Sequence, residues 1–120
     1  MAFRIPPRLK NDPTATALFC YVREHKLEPA GYDILADYCE ERGWVFDALK
    51  YRLAARIIAQ PRVRLVGIMA QHLGLDPIPD HEAFALARPM TRTKFPIRDA
   101  ELLAWLIRDW CRATQGKEFP

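Results

Sequence analysis

Residues 31–43 read GYDILADYCEERG and run straight into a strongly apolar stretch; no other segment restricts the fold as much. A glycine stands at each end. Between them Tyr32, Leu35, Ala36 and Cys39 recur at helical spacing, and Asp33, Asp37, Glu40 and Glu41 lie opposite. The spacing predicts a helix over about 32–42, closed by Gly43, the residue that best tolerates the left-handed C-terminal conformation. From Val45 to Ala59 the apolar positions widen. Phe46, Leu49, Leu53 and Ile57 form one stripe, Tyr51, Ala54 and Ile58 add a flank, and Arg52 and Arg56 make the clearly polar strip. A helix apolar around so much of its circumference belongs at the centre of a fold. Together the two segments describe a helical hairpin at about 32–59, with its acidic face able to bring Asp37 or Glu41 near Arg52 or Arg56.

The flanking sequence punctuates further helices. Pro6-Pro7 reads as an extended arm over residues 1–11, and residues 12–120 read as a single helical domain. Asp12-Pro13 is a cap followed by a first-turn proline, opening a helix to about His25 that buries Ala15, Leu18, Phe19 and Val22. Residues 28–31, EPAG, read as a turn. Pro61 opens a helix that ends before Gly74, with Leu65, Ile68, Met69, His72 and Leu73 on its buried side. After the rigid 76–79 turn, Asp80 is placed to cap a short helix through about Ala87. Residues 88–97, RPMTRTKFPI, form a basic loop. A last helix spans about Arg98 to Gln115, stops at Gly116 and carries Leu102, Leu103, Leu106, Ile107 and Trp110 as its core stripe. No segment shows sustained alternation, so the expected class is all-α: a compact bundle of five to six helices.

Composition narrows the function classes. At 120 residues, half of them hydrophobic, the chain can bury a core without metal or disulfide staples. The N-terminal residues include Arg4, Pro6, Pro7, Arg8 and Lys10, which lack the apolar run of a signal peptide, and Leu102–Ile107 is far too short to span a bilayer. A cytoplasmic location is expected. Cys20, Cys39 and Cys111 are widely spaced inside apolar segments and read as reduced, core-type thiols. The net charge is only +3, arginine far outnumbers lysine, and serine is absent. The arginine bias fits a GC-rich bacterial or phage genome. The absence of serine excludes a serine nucleophile and serine phosphorylation.

Residues 35–43, LADYCEERG, resemble the core of the repeat-companion domain of planctomycete and myxobacterial proteins, typically Ala-Asp-Trp-Leu-Glu-Glu-Arg-Gly-Asp followed by an apolar helix. Ala36, Asp37, Glu40, Glu41, Arg42 and Gly43 match; Tyr38 and Cys39 replace Trp and Leu, and Trp44 replaces the usual Asp. The similarity covers about residues 31–58. It implies a small helical module, often beside repeat domains, with no established chemistry.

Catalytic constellations are thin. His72, Asp76, Asp80, His81 and Glu82 cluster in sequence, but the two histidines are divided by a proline turn and do not share a helical face, so no metal or cofactor is expected. Asp37 and Glu41 lie one turn apart without a predicted cleft to desolvate either, so no catalytic pair is assigned. The glycines mark helix ends, Gly67 apart. The leading expectation is a non-catalytic helical protein-interaction or adaptor module, binding a protein partner or itself and no membrane. Its candidate contact residues are Trp105, Arg108 and Arg112 on the last helix, beside Glu101, and Asp37 and Glu41 on the acidic face. The rival is a nucleic-acid-associated accessory protein. Two stretches, 48–75 and 86–98, lack acids, and Arg88, Arg92, Lys94 and Arg98 surround Phe95 in a way that suits phosphate contact with stacking. A helix-turn-helix version is disfavoured, because the second helix would enter the groove with Asp80-His81-Glu82 leading.

Overall fold

The computed structural model describes residues 5–24, 29–57, 62–88 and 96–119. Among them are seven helices and no strand: α1 (Pro7–Lys10), α2 (Pro13–Glu24), α3 (Pro29–Glu41), α4 (Val45–Arg56), α5 (Arg62–His72), α6 (Asp80–Ala87) and α7 (Pro96–Gln115). The all-α bundle is present, with one helix more than the expected range.

The extra helix corrects the extended arm. Pro7 opens α1 instead of preventing it, because a first-turn residue needs no amide and its fixed φ suits the helix. Leu9 is completely buried, its carbonyl accepts from Thr16 Oγ1 at 2.7 Å, and Arg8 reaches Asp47 at 3.5 Å. The described part of residues 1–11 is thus stapled to the bundle. Asp12 then caps α2 as the sequence indicates: the Thr14 and Ala15 amides donate to Oδ1 at 3.0 and 3.1 Å.

The expected turn at 28–31 is in part the first turn of α3. Gly31 sits inside the helix, where a Cβ would stand 3.2 Å from Val22 Cγ2, so its missing side chain lets α2 and α3 approach closely. Tyr32, Leu35, Ala36 and Cys39 are buried. The helix ends in a Schellman motif: Gly43 N–H donates to Glu40 O at 2.9 Å and Trp44 N–H to Cys39 O at 2.8 Å, with Gly43 at φ 78°. That turn reverses the chain into α4.

α4 is the central helix, packed on α3, α7 and α5. Its buried residues run without a polar face: Asp47, Ala48, Leu49, Tyr51, Arg52, Leu53, Ala54 and Ala55. Tyr51 stacks on Tyr32 (6.5 Å between centroids) and meets the Phe19 ring edge-to-face at 6.2 Å; its buried hydroxyl has no hydrogen-bond partner. Burial pushes that phenol well above its ordinary range. Phe46, expected in the core stripe, is only partly buried.

Two other faces and one cap differ from the sequence reading. On α5 the buried side is Leu65, Val66, Met69 and Ala70, and His72 is exposed. Asp80 is the first residue of α6 rather than its cap, since Pro79 occupies that place without a side-chain hydrogen bond. On α7 the buried residues are Ala100, Leu103, Ala104, Ile107 and Cys111. Leu102 is exposed, and Leu106 and Trp110 are partly buried. The face is turned by nearly one residue because small side chains at 100, 104 and 111 let α7 lie close against α4.

Two glycines separate backbone need from mere presence. Gly43→Ala forces a Cβ into left-handed backbone and should cost about 1–2 kcal/mol. Gly67, inside α5, has an ordinary helical φ and open space where a Cβ would stand, with nothing within 4 Å. Gly67→Ala should stabilise by about 0.5–1 kcal/mol. Urea denaturation of both variants measures the opposite signs.

Candidate functional site

Asp33, Asp37 and Glu40 fall one and two turns apart on α3, so their carboxylates line one flank of the hairpin. Arg52 of α4 reaches all of them. Its Nε donates to Glu40 Oε1 at 3.0 Å, Nη2 to Asp37 Oδ1 at 2.6 Å, and Nη1 stands 3.5 Å from Asp33 Oδ1. Arg56 Nη1 donates to Asp33 Oδ1 and to Arg52 O, both at 2.9 Å. From α5, His72 Nε2 lies 3.0 Å from the same Glu40 oxygen. One flank therefore ties three helices together. Hydrogen bonding from Arg52, opposed in part by burial and aided by His72, holds the Glu40 carboxyl at about 2. The carboxylates push the Arg52 guanidinium still higher.

The expected cross-helix ion pair thus forms through Asp37 and Arg52. Glu41 stands apart from the cluster: it follows Glu40 by a single residue, points about 100° away around the helix, and is exposed. Asp37 keeps 65% of its side chain exposed but spends one oxygen inside the molecule. His72, read from sequence as a core residue, instead pairs with the acidic flank.

A second network is not visible in the sequence. Tyr38 donates its hydroxyl proton toward both Asp12 oxygens, at 2.9 and 2.7 Å, and Arg42 Nη2 donates to the same hydroxyl at 2.9 Å. The Tyr38 hydrogen bond, with backbone donors and Arg42, lowers the Asp12 carboxyl below its ordinary range. The cap of α2 is thereby locked to the last turns of α3. The spacing of 26 residues between the two partners hides this contact.

The last helix carries a ridge. Trp105 is 48% exposed. One edge meets the Phe46 ring at 5.4 Å and 75°, and the Arg108 guanidinium carbon lies 3.6 Å from the Trp105 centroid and 4.5 Å from that of Phe46. Arg108 is sandwiched, with 13% of its side chain exposed. Its Nε is buried without a hydrogen-bond partner and meets Asp109 Oδ1 only at 4.0 Å. Leu102, one turn before Trp105, is 40% exposed. Arg112 Nε donates to Glu118 Oε2 at 2.9 Å. Trp105 packs on α4 through Phe46. The structure brings Trp105 and Arg108 together and adds Leu102 and Phe46, which periodicity alone assigns to the core.

Arg88 is exposed at the end of α6; Arg98 is exposed in the first turns of α7 and already has a contact within the chain. Arg92 and Lys94 lie outside the described residues. Burial pushes the Cys39 thiol up to about 12 and raises Cys111 as well, so neither is an activated nucleophile at neutral pH. Among the described residues, no group of three or more His, Cys, Asp or Glu side chains is placed to hold a metal ion.

The chain matches no family model, no curated protein and no solved structure.

The acidic flank generates two expectations. A double-mutant cycle on Glu40→Gln and Arg52→Ala should show coupling of about 1–2 kcal/mol, whereas Glu41→Ala with Arg56→Ala should be additive. The second concerns pH. Glu40 has a folded-state value of about 2, below its unfolded value of 4.5. Its contribution is therefore complete above about pH 4.5 and fades as pH falls from there toward 2. The stability gap between wild type and Glu40→Gln should be constant near neutrality and shrink across that acid window, as read from denaturant midpoints at successive pH values.

Proposed function

We propose that this chain is a non-catalytic helical protein-interaction or adaptor module that engages its partner through the α7 ridge. The supporting observation is the state of Trp105. Nearly half of a large indole faces solvent, while Phe46 and Arg108 hold the ring in one orientation. An aromatic anchor already fixed before binding loses little conformational freedom on docking. Leu102 extends the apolar surface, and Glu101, Asp109 and Arg112 supply an exposed charged rim, the composition of an interface centre with its border. The acidic flank plays a different part: its charges are engaged by Arg52, Arg56 and His72, which suits a clamp within the fold. The resemblance of residues 31–58 to the repeat-companion domain implies a small helical module with no established chemistry, which is compatible with this reading. None of the described helices is long and apolar enough to cross a membrane, and the proposed setting is the cytoplasm.

Trp105→Ala should separate anchoring from folding. Loss of the stacked cation and ring edge is expected to lower stability by only about 1 kcal/mol, well short of the ~3–5 kcal/mol of a fully buried tryptophan. A photo-reactive residue in place of Leu102 should yield a discrete protein adduct in cells, and adding Trp105→Ala should abolish it. Absence of any adduct, or loss of folding with Trp105→Ala, would overturn this reading.

A further inference from the structure

Among the exposed residues of α7, which also include Glu101, Ala113 and Thr114, one set runs Arg98, Leu102, Trp105, Asp109 and Arg112. The steps are four, three, four and three, the spacing that keeps a single stripe facing a neighbouring helix. Along that stripe the order is cation, apolar, apolar, anion, cation. From this we infer that the ridge pairs with α7 of a second copy of this chain, antiparallel, about a two-fold axis passing between Leu102 and Trp105. The inference rests on the interaction reading above and commits its partner.

The register follows from charge. Turned about that axis, Leu102 of each copy faces Trp105 of the other, and Arg98 faces Asp109 on both sides of the apolar centre. The flanking positions agree independently. Glu101 and Arg108, each one residue before a stripe position, become opposed in the same register, where antiparallel helices bring such flanking residues together. Arg108 keeps 13% of its side chain exposed and meets Asp109 only at 4.0 Å, so the terminal N–H groups of its guanidinium, and not its buried Nε, are the donors for Glu101. Arg98 already has a contact within its own chain; a guanidinium carries five N–H donors and can serve a second carboxylate. Competing arrangements are worse. Parallel pairing sets Arg98 against Arg98 and Asp109 against Asp109. A one-heptad slip of the antiparallel pair sets Leu102 against Arg112 and Trp105 against Asp109. An isologous contact of this kind closes on itself and stops at a dimer.

Sedimentation velocity on the full chain, from low to high micromolar concentration, should show a reversible monomer–dimer equilibrium. Asp109→Arg and Arg98→Asp should each raise the dissociation constant by about tenfold or more, and the two together should restore it close to wild type. Leu102→Glu, at a position 40% exposed in the single chain, should abolish the dimer while keeping the thermal melt of the wild-type monomer at low concentration. A wild-type chain monomeric at every concentration, a dimer indifferent to Leu102→Glu and Asp109→Arg, or a double reversal that folds but does not recover would overturn the pairing. The crosslinker at Leu102 separates this failure from that of the wider reading. An adduct of twice the chain mass supports self-pairing. Adducts only to a different polypeptide overturn self-pairing and leave the interaction reading standing; no adduct overturns both.

Discussion

Arg52 is the constraint around which the bundle is arranged. It lies on the most enclosed helix, with only 10% of its side chain exposed. A guanidinium so placed destabilises a fold unless acceptors surround it. The α3 flank supplies them at three successive heights, and all three oxygens can be met only when α3 and α4 have one relative rotation and one axial offset. The apolar faces alone would tolerate a slide of one helix along the other. The ion cluster removes that freedom. Through Glu40 and His72 the same constraint passes to α5.

A similar logic operates at the other end of α3. Asp12 caps α2 and accepts from Tyr38, while Arg42 leans over the Tyr38 ring at 5.2 Å and donates to its hydroxyl. A side chain that begins one helix is therefore held by a side chain near the finish of another. Within residues 31–58 individual side chains carry definite local tasks: Ala36 is buried, Asp37 and Glu40 hold Arg52, and Gly43 makes the reversal. Each of these tasks belongs to helix packing and helix ending.

Legibility in the sequence follows the range of the interaction. Gly43, Asp12-Pro13 and the hairpin stripes are readable because caps and periodicity are settled within a few residues. The rotation of α7 is not. Summed hydrophobicity favours Leu102 and Trp110, but the face is chosen by how closely two helix axes approach, and Ala100 and Ala104 permit what larger residues do not. His72 escapes for the same reason: its place depends on Glu40, a residue 32 positions away. Helical geometry does set Trp105 off the core stripe. Its support by Phe46 stays hidden, because α4 periodicity alone assigns Phe46 to the interior. Pro6-Pro7 misleads in the opposite direction, since a pair of prolines disrupts a helix interior but suits its beginning.

The centre of the hairpin holds a thiol and a phenol, Cys39 and Tyr51, both sealed from water and both held in their neutral forms by burial. Across the range of acidity a cell experiences, this interior carries no change of charge from either group. A fluctuation in pH or an encounter with an oxidant meets the molecule first at its perimeter. The middle of the fold is chemically insulated, which leaves a module of this size free to present a changeable surface on an unchanging frame.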